Sequence, residues 1–323
     1  MPVAVTGSIA TDHLMTFPGK FTEQFVEGQM ENVSLSFLVD DLVQHRGGAG
    51  ANMAYGLGLL GLQPVLVGAV GSDFAEYDAW LTRHGVDTRS VHWSELKHTA
   101  RFVCTTDAAL AQIATFYTGA MSEARDIDLA TFGDDFDLVL VGPDDPEGMQ
   151  RHTRSCRDRG IAFAADPSQQ LAWADGELIR DLIDGAAYLF SNDYEAALIE
   201  QKSGWTAADV QSHVGTRVVT RGKDGVSVYP ADGPSVEVKA IEGVVAVDPT
   251  GVGDSFRAGF LAGVAAELDL ERSAQIGCTI AASVVETKGT QEYELTRDGF
   301  LKRLGAAYGD TAAADVDAAL KLA

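Results

Sequence analysis

Asp248-Pro-Thr-Gly-Val-Gly-Asp254, continued by Ser-Phe-Arg-Ala-Gly-Phe260, is the stretch whose reading decides the fold. An apolar run over 243–247 precedes it, and Phe256, Phe260 and Val264 then recur every four residues, which is helical spacing. A glycine-rich turn therefore feeds straight into a helix. Glycines allow backbone N–H groups to converge on one point, and a helix N-terminus adds partial positive charge there. That combination suits an anion, phosphate above all. Asp254 opens the helix, so its carboxylate faces the same spot. A carboxylate beside an anion site is costly unless it has work to do, and the obvious work is taking a proton from an attacking hydroxyl. The string alone is equally compatible with Asp254 capping a helix and the glycines merely turning the chain.

Working outward, strands and helices alternate. Strands are expected at 137–142, 161–165, 187–190 and 217–220, with helices at 146–159 and 175–184 between them. At the N-terminal end, 2–9 and 64–70 read as buried strands, and Gly71-Ser72-Asp73 caps a helix running to about His84. Such alternation implies a parallel sheet with helices on both faces. Ligands then bind at the carboxyl ends of the strands, where Asp12 lies. Three further strand-like runs, 34–43, 99–105 and 111–117, are expected to form a small separate sheet, the last two as a hairpin turning at Thr106-Asp107. Residues 17–29 read as loop and short helix, 273–285 as a helix lined with small residues, and the alanine-rich tail from Leu301 as helix.

Three shorter motifs carry two meanings each. Gly47-Gly48-Ala-Gly50-Ala-Asn52 could cap a helix or hold a ligand; its context excludes a dinucleotide fingerprint, because the strand before it is charged and alternating. Asn192-x-x-Glu195 has the spacing of a capping box, which explains it without any ligand. Thr220-x-Gly222-x-x-Gly225 could be a hairpin turn, yet Lys223 puts a rare positive charge there.

Composition narrows the function. The chain has 323 residues, 46% of them hydrophobic, enough for one large α/β domain with an appendage. Its formal charge of -23 argues against nucleic-acid binding and against docking on anionic membrane. Cys104, Cys156 and Cys278 are widely spaced, with no zinc-binding pattern. No basic region followed by an apolar run opens the chain, and no apolar stretch is long enough to span a bilayer, so a cytoplasmic protein is expected.

The four motifs, in this order, resemble those of the PfkB (ribokinase-like) carbohydrate and nucleoside kinases, and the resemblance covers nearly the whole chain. Within that family the chain most resembles the bacterial adenosine kinases of the mycobacterial type, through 5–15, 34–43, 99–102, 111–125, 164–172 and 248–261. The resemblance implies a ribokinase-like three-layer α/β sandwich with a mostly parallel sheet, over 1–12, 48–96 and 121–323. It also implies a small β lid over 13–47 and 97–120.

The implied activity is ATP-dependent phosphorylation of the 5′-hydroxyl of adenosine, with Asp254 as base and Gly251, Val252 and Gly253 as anion hole. Ser8, Asp12, Ser36, Gly48 and Asn52 would line the ribose pocket, Phe102 and Phe116 would sandwich adenine, and Gln169 and Gln170 would meet its edge. Thr220, Gly222 and Gly225 would contact the nucleotide phosphates. Asn192 and Glu195 would position Mg²⁺ largely through water, and Asp248 and Thr250 would help bind K⁺. A homodimer through the lid is expected, since an exposed sheet edge can pair with a second copy. Free sugars (ribose or fructose), other purine nucleosides and a non-catalytic nucleoside-binding role remain alternatives. Trp173 stands where a polar residue is expected.

Overall fold

The computed structural model describes residues 1–25, 34–133 and 136–322. An eight-stranded sheet forms the centre. Its strands are β1 (Val3–Thr6), β4 (Val65–Val67), β9 (Leu138–Val141), β10 (Ala162–Ala165), β11 (Tyr188–Asn192), β12 (Thr216–Thr220), β13 (Val226–Pro230) and β14 (Val236–Val238). Their spatial order is β14-β13-β12-β11-β10-β9-β1-β4. The six strands from β12 to β4 run parallel, and β13 and β14 return antiparallel at one edge.

Strand residues alternate between two cores, as the twofold period of a strand requires. Val3, Val5, Leu138 and Leu140 join one core with Phe256, Phe260 and Ile280 from helices Val252–Ala265 and Leu270–Val285. Ala4, Val139 and Val141 join the other with Met149, Ile179 and Ile199 from helices Pro146–Arg159, Gly176–Ile183 and Asp193–Ser203. Each fully buried Val, Leu, Ile or Phe contributes about 1.5–3 kcal/mol, so both layers are strongly driven. Local signals set the helix ends. The Asp145 side chain accepts from the N–H groups of Glu147 and Gly148, Pro146 opens the helix, and left-handed Gly160 closes it.

A second sheet stands apart, ordered β3-β2-β7-β8 from Asp41–Gly47, Ala10–Thr16, Ala100–Thr106 and Gln112–Tyr117. The expected hairpin is its β7–β8 pair. The expected strand over 34–43 is shifted: 34–39 has no regular structure, and pairing begins at Asp41 and continues to Gly47. Phe37 instead packs on Phe17 and Phe21, with ring centroids 5.1 and 4.9 Å away. Part of the expected loop over 17–29 lies outside the described residues; Phe21–Glu23 is a single 3-10 turn.

The expected strand over 64–70 divides at Gly68. β4 stays in the main sheet, while β5 (Ala69–Val70) pairs with β6 (His92–Trp93). A Cβ on Gly68 would lie 2.8 Å from the Gly7 carbonyl oxygen, so only glycine allows this approach. Among the described residues no helix is long and apolar enough to cross a membrane.

Candidate active site

The site begins at the turn that opens helix Val252–Ala265. Gly251 is its N-cap, with φ +75, and the N–H groups of Val252, Gly253 and Asp254 open the helix, Val252 with a long 3.4 Å contact to the Pro249 carbonyl. A Cβ on Gly251 would lie 2.9 Å from the Thr290 side chain, and one on Gly253 would lie 2.6 Å from Arg257 Nη1. Gly251 therefore needs glycine for conformation and packing, whereas helical Gly253 is crowded only by the Arg257 side chain. Asp254 is half-buried in the first turn. Its Oδ2 accepts from Asn52 Nδ2 at 2.9 Å. Burial raises its carboxyl above the usual range; the Asn52 hydrogen bond and the Arg257 charge pull it back, and Glu195 adds to the rise.

Asn52 comes from helix Ala49–Leu59, which starts where β3 ends. Its amide is committed on both sides: besides donating to Asp254, its Oδ1 accepts from Gln291 Nε2 at 2.9 Å and lies 2.9 Å from Thr290 Oγ1. Asn52 thus holds Asp254 in place, a contact beyond the ribose contact expected for it. Ser8 is likewise engaged, its Oγ accepting from Ala49 N–H at 3.1 Å to cap the same helix. Gly48 has φ +91, and a Cβ there would lie 2.5 Å from the Ser8 carbonyl oxygen.

The small sheet contributes a row. Strand register places His45, Asp12, Phe102 and Phe116 opposite one another on β3, β2, β7 and β8, so the four share one face. Asp12 lies against Gly47, where a Cβ would be 3.1 Å from its Oδ2. Burial pushes its carboxyl up to about 6, opposed by His45 and reinforced by Asp248. Phe116 is exposed, and Phe102 is half-buried. Ser36 lies on the irregular 34–39 segment and is exposed, not on a lid strand as expected.

Gln169 and Gln170 lie in the 3-10 turn Ser168–Ala172, after β10. Gln170 Nε2 donates to the Asp144 carbonyl at 2.8 Å, and Gln169 Oε1 accepts from Ser168 Oγ at 2.8 Å. Asn192 and Glu195 form a complete capping box, each side chain accepting the other's backbone N–H at 2.8 Å. Thr220 ends β12, and Gly222 and Gly225 turn the chain with φ +54 and +96. A Cβ on Gly225 would lie 2.0 Å from the Val238 carbonyl oxygen. Beside this turn, Lys239, Ala240, Ile241 and Val244 line a cavity of about 810 Å³ that Gln275 and Tyr308 close from the helices.

A model of the pfkB family carbohydrate kinases matches residues 8–297. The chain belongs to the PfkB family of carbohydrate kinases. It is 30% identical over 263 residues to a nucleoside kinase of Methanocaldococcus jannaschii, spanning 81% of this chain and 86% of that one. The solved nucleoside kinase of Burkholderia thailandensis in complex with inosine is 33% identical, with a TM-score of 0.82 over 95% of this chain and 98% of that one. The same enzyme in its ADP-inosine complex gives a TM-score of 0.81 at 34% identity, over 95% of this chain and 96% of that one. The fold is accordingly ribokinase-like, with a mostly parallel central sheet and a separate small sheet.

This PfkB kinase carries site residues that no motif announced. Arg257, one helical turn after Asp254, is buried; its Nε is 2.7 Å from Asp166 Oδ2, and its Nη2 is 3.8 Å from Glu195 Oε2. One guanidinium therefore serves three carboxylates, Asp166, Glu195 and Asp254. Burial pushes Asp166 up to about 7 even with that cation beside it. A charge inside the otherwise apolar Phe256–Phe260 helical face was the available signal for Arg257. Tyr77 and Gln291 had no such signal.

Metal positions are less developed. Among the described residues no group of three or more His, Cys, Asp or Glu side chains could hold a metal ion. Asp248 accepts from Thr250 N–H at 2.9 Å and Gly289 N–H at 3.1 Å; burial opposes its ionisation, but these hydrogen bonds prevail and hold it below the usual range.

Proposed function

We propose that this PfkB kinase transfers the γ-phosphoryl group of ATP to the 5′-hydroxyl of a purine nucleoside, adenosine first. One observation carries the reading: a carboxylate, Asp254, is held by Asn52 in the first turn of a helix whose N-cap is a left-handed glycine and whose N-terminal N–H groups, apart from the long Val252 contact to the Pro249 carbonyl, have no backbone partner among the described residues. Asp254 takes the proton as the hydroxyl attacks. Phosphoryl transfer has a loose transition state, so positioning and charge neutralisation outweigh strong base action. The N–H groups of Gly251, Val252 and Gly253 receive the developing charge.

The lid row supports a nucleoside over a free sugar, because Asp12 suits a ribose hydroxyl while Phe102 and Phe116 offer aromatic surface on the same face. The 3-10 turn after β10 adds an amide pair of opposite polarity. Gln170 has its Nε2 engaged and keeps an acceptor; Gln169 has its Oε1 engaged and keeps donors. Such a pair fits the N1–C6 edge of adenine or, in the opposite order, of hypoxanthine. The inosine bound by the Burkholderia relative is in keeping with purine recognition.

Thr220, Gly222 and Gly225 would take the ATP phosphates, and the adjoining cavity would take its base. Mg²⁺ would sit near Asn192 and Glu195 through water, since their capping box already occupies both side chains, and would neutralise phosphate charge. A monovalent cation such as K⁺ would use oxygens near Asp248 and Thr250. A homodimer would form through the lid, where every residue of edge strand β8 is exposed. ADP release with ATP and Mg²⁺, using adenosine, inosine, guanosine, ribose and fructose, with and without K⁺, tests the proposal. Preference for adenosine is the expected result. Equal turnover of ribose would overturn the nucleoside assignment, and adenosine binding without turnover would overturn catalysis.

A further inference from the structure

Behind Asp254 lies a chain of side chains that the proposed reaction does not use directly. The Tyr77 hydroxyl donates to the Gly47 carbonyl at 2.9 Å. Gln291 Nε2 donates to that hydroxyl at 2.5 Å and to Asn52 Oδ1 at 2.9 Å. Asn52 Nδ2 then donates to Asp254 Oδ2. Tyr77, Gln291 and Asn52 are 4%, 1% and 6% exposed, so water cannot substitute for these partners.

The chain has a single direction, which its far end dictates. A backbone carbonyl can only accept, so the Tyr77 hydroxyl must donate to Gly47. Its oxygen is then left to accept, which turns the NH₂ side of Gln291 toward it. The same NH₂ group faces Asn52, so Asn52 must present its oxygen there, and its own NH₂ must point at Asp254. Reversing either amide would set two oxygens or two NH₂ groups against each other in a buried space.

We propose that Gln291 and Tyr77 are positioning residues for phosphoryl transfer, fixing the Asn52 amide so that Asp254 Oδ2 only accepts and Oδ1 is the atom that takes the substrate proton. This rests on Asp254 being the base, as proposed above. Gly47 is the last residue of lid strand β3, so the relay also anchors the base to the root of the lid. Thr290 Oγ1 lies 2.8 Å from the Arg46 carbonyl and 2.9 Å from Asn52 Oδ1; its one hydrogen serves one of these acceptors at a time, so the Gln291 donor is what fixes the Asn52 amide. The other groups facing Asp254 are Arg257 on its own helix, Glu195 at the start of helix Asp193–Ser203, Asp166 after β10, and Tyr293 from the loop between helices Leu270–Val285 and Arg297–Tyr308. None of them selects between the two carboxylate oxygens as a single donor to one of them does.

The test is steady-state kinetics of Gln291→Met and Tyr77→Phe against pH, beside the native protein and Asp254→Asn, with thermal melts of each. Methionine keeps the length of glutamine but cannot donate, so Asn52 is free to turn its oxygen to Asp254. In Gln291→Met, kcat is expected to fall roughly 10- to 100-fold, the equivalent of one hydrogen bond to a charged group. KM for nucleoside and ATP should stay within about threefold, and the acid limb of the kcat profile should move to higher pH. Tyr77→Phe, which keeps the ring and holds the test if the methionine variant does not fold, should shift the limb the same way by less. An unmoved acid limb in the folded variants overturns the proposal, whether kcat is unchanged or falls together with a rise in KM. If Asp254→Asn itself keeps native turnover, the base assignment fails and the relay fails with it. Loss of turnover in Asp254→Asn with normal Gln291 and Tyr77 variants removes the relay alone.

Discussion

The Asn52 amide donates to Asp254 Oδ2 across 2.9 Å, joining residues 202 positions apart in the chain. One belongs to the helix that follows strand β3 of the small sheet, the other to the helix that follows the glycine turn at Gly251. Their contact is where the two glycine motifs become one site.

Asp254→Asn is expected to fold like the native protein, because an asparagine can present its oxygen to the Asn52 amide. Turnover should drop about 10²- to 10⁴-fold, the usual contribution of a positioned base. Near-native kcat in a variant with an unchanged melting temperature would remove Asp254 from that role.

Asn52→Leu should cost both activity and stability. Gln291 loses its buried acceptor and Asp254 its donor, so unfolding free energy should fall by about 1–3 kcal/mol. Denaturant titration measures this, and a loss below about 0.5 kcal/mol would mean that the network is not formed in solution.

Arg257→Met leaves Asp166, Glu195 and Asp254 without their shared cation. Breaking a buried pair by removing one partner destabilises by about 3–5 kcal/mol, whereas Asp166→Asn combined with Arg257→Met should recover part of that. A double variant no more stable than Arg257→Met would show that the Asp166 pairing is not the source of the loss.

Asp144, whose carbonyl accepts from Gln170, gives a pH signature of its own. It is buried, its Oδ2 has no hydrogen-bond partner among the described residues, and burial pushes its carboxyl up to about 8, with the Asp145 N–H opposing. Between the ordinary carboxyl range near 4 and about 8, the folded protein holds a proton that the unfolded chain has released. Stability from this group therefore falls as pH rises through that window. Asp144→Asn should melt higher than the native protein at pH 8–9, with the advantage shrinking toward pH 5. A constant difference across that range would contradict the raised value.

Phe116→Ala should lower kcat/KM for nucleosides by about 5- to 100-fold, given that base–aromatic stacking contributes roughly 1–3 kcal/mol, and should affect ribose much less. Equal losses on both substrates would assign Phe116 to lid packing.

The order of elements, the glycine turn before Asp254, the lid hairpin and the capping box at Asn192 were all legible in the sequence. Each is local: periodicity, turn chemistry and capping act over a few residues, so the chain encodes them where they occur. The family follows from those motifs in their order. Tertiary structure alone decided what Asn52, Ser8 and Gln170 hold, because each meets a partner tens to hundreds of positions away. It also brought Arg257 to Asp166 and Glu195, and set Tyr77 and Gln291 behind Asn52. Even the lid strand beginning at Asp41 rather than Ser34 is such a case: the alternation over 34–39 fits a strand, but Phe37 finds Phe17 and Phe21 instead of a strand partner. A hydrogen bond's direction depends on what waits at its far end, and for Asp254 that end is a carbonyl on Gly47, which no spacing in the sequence records.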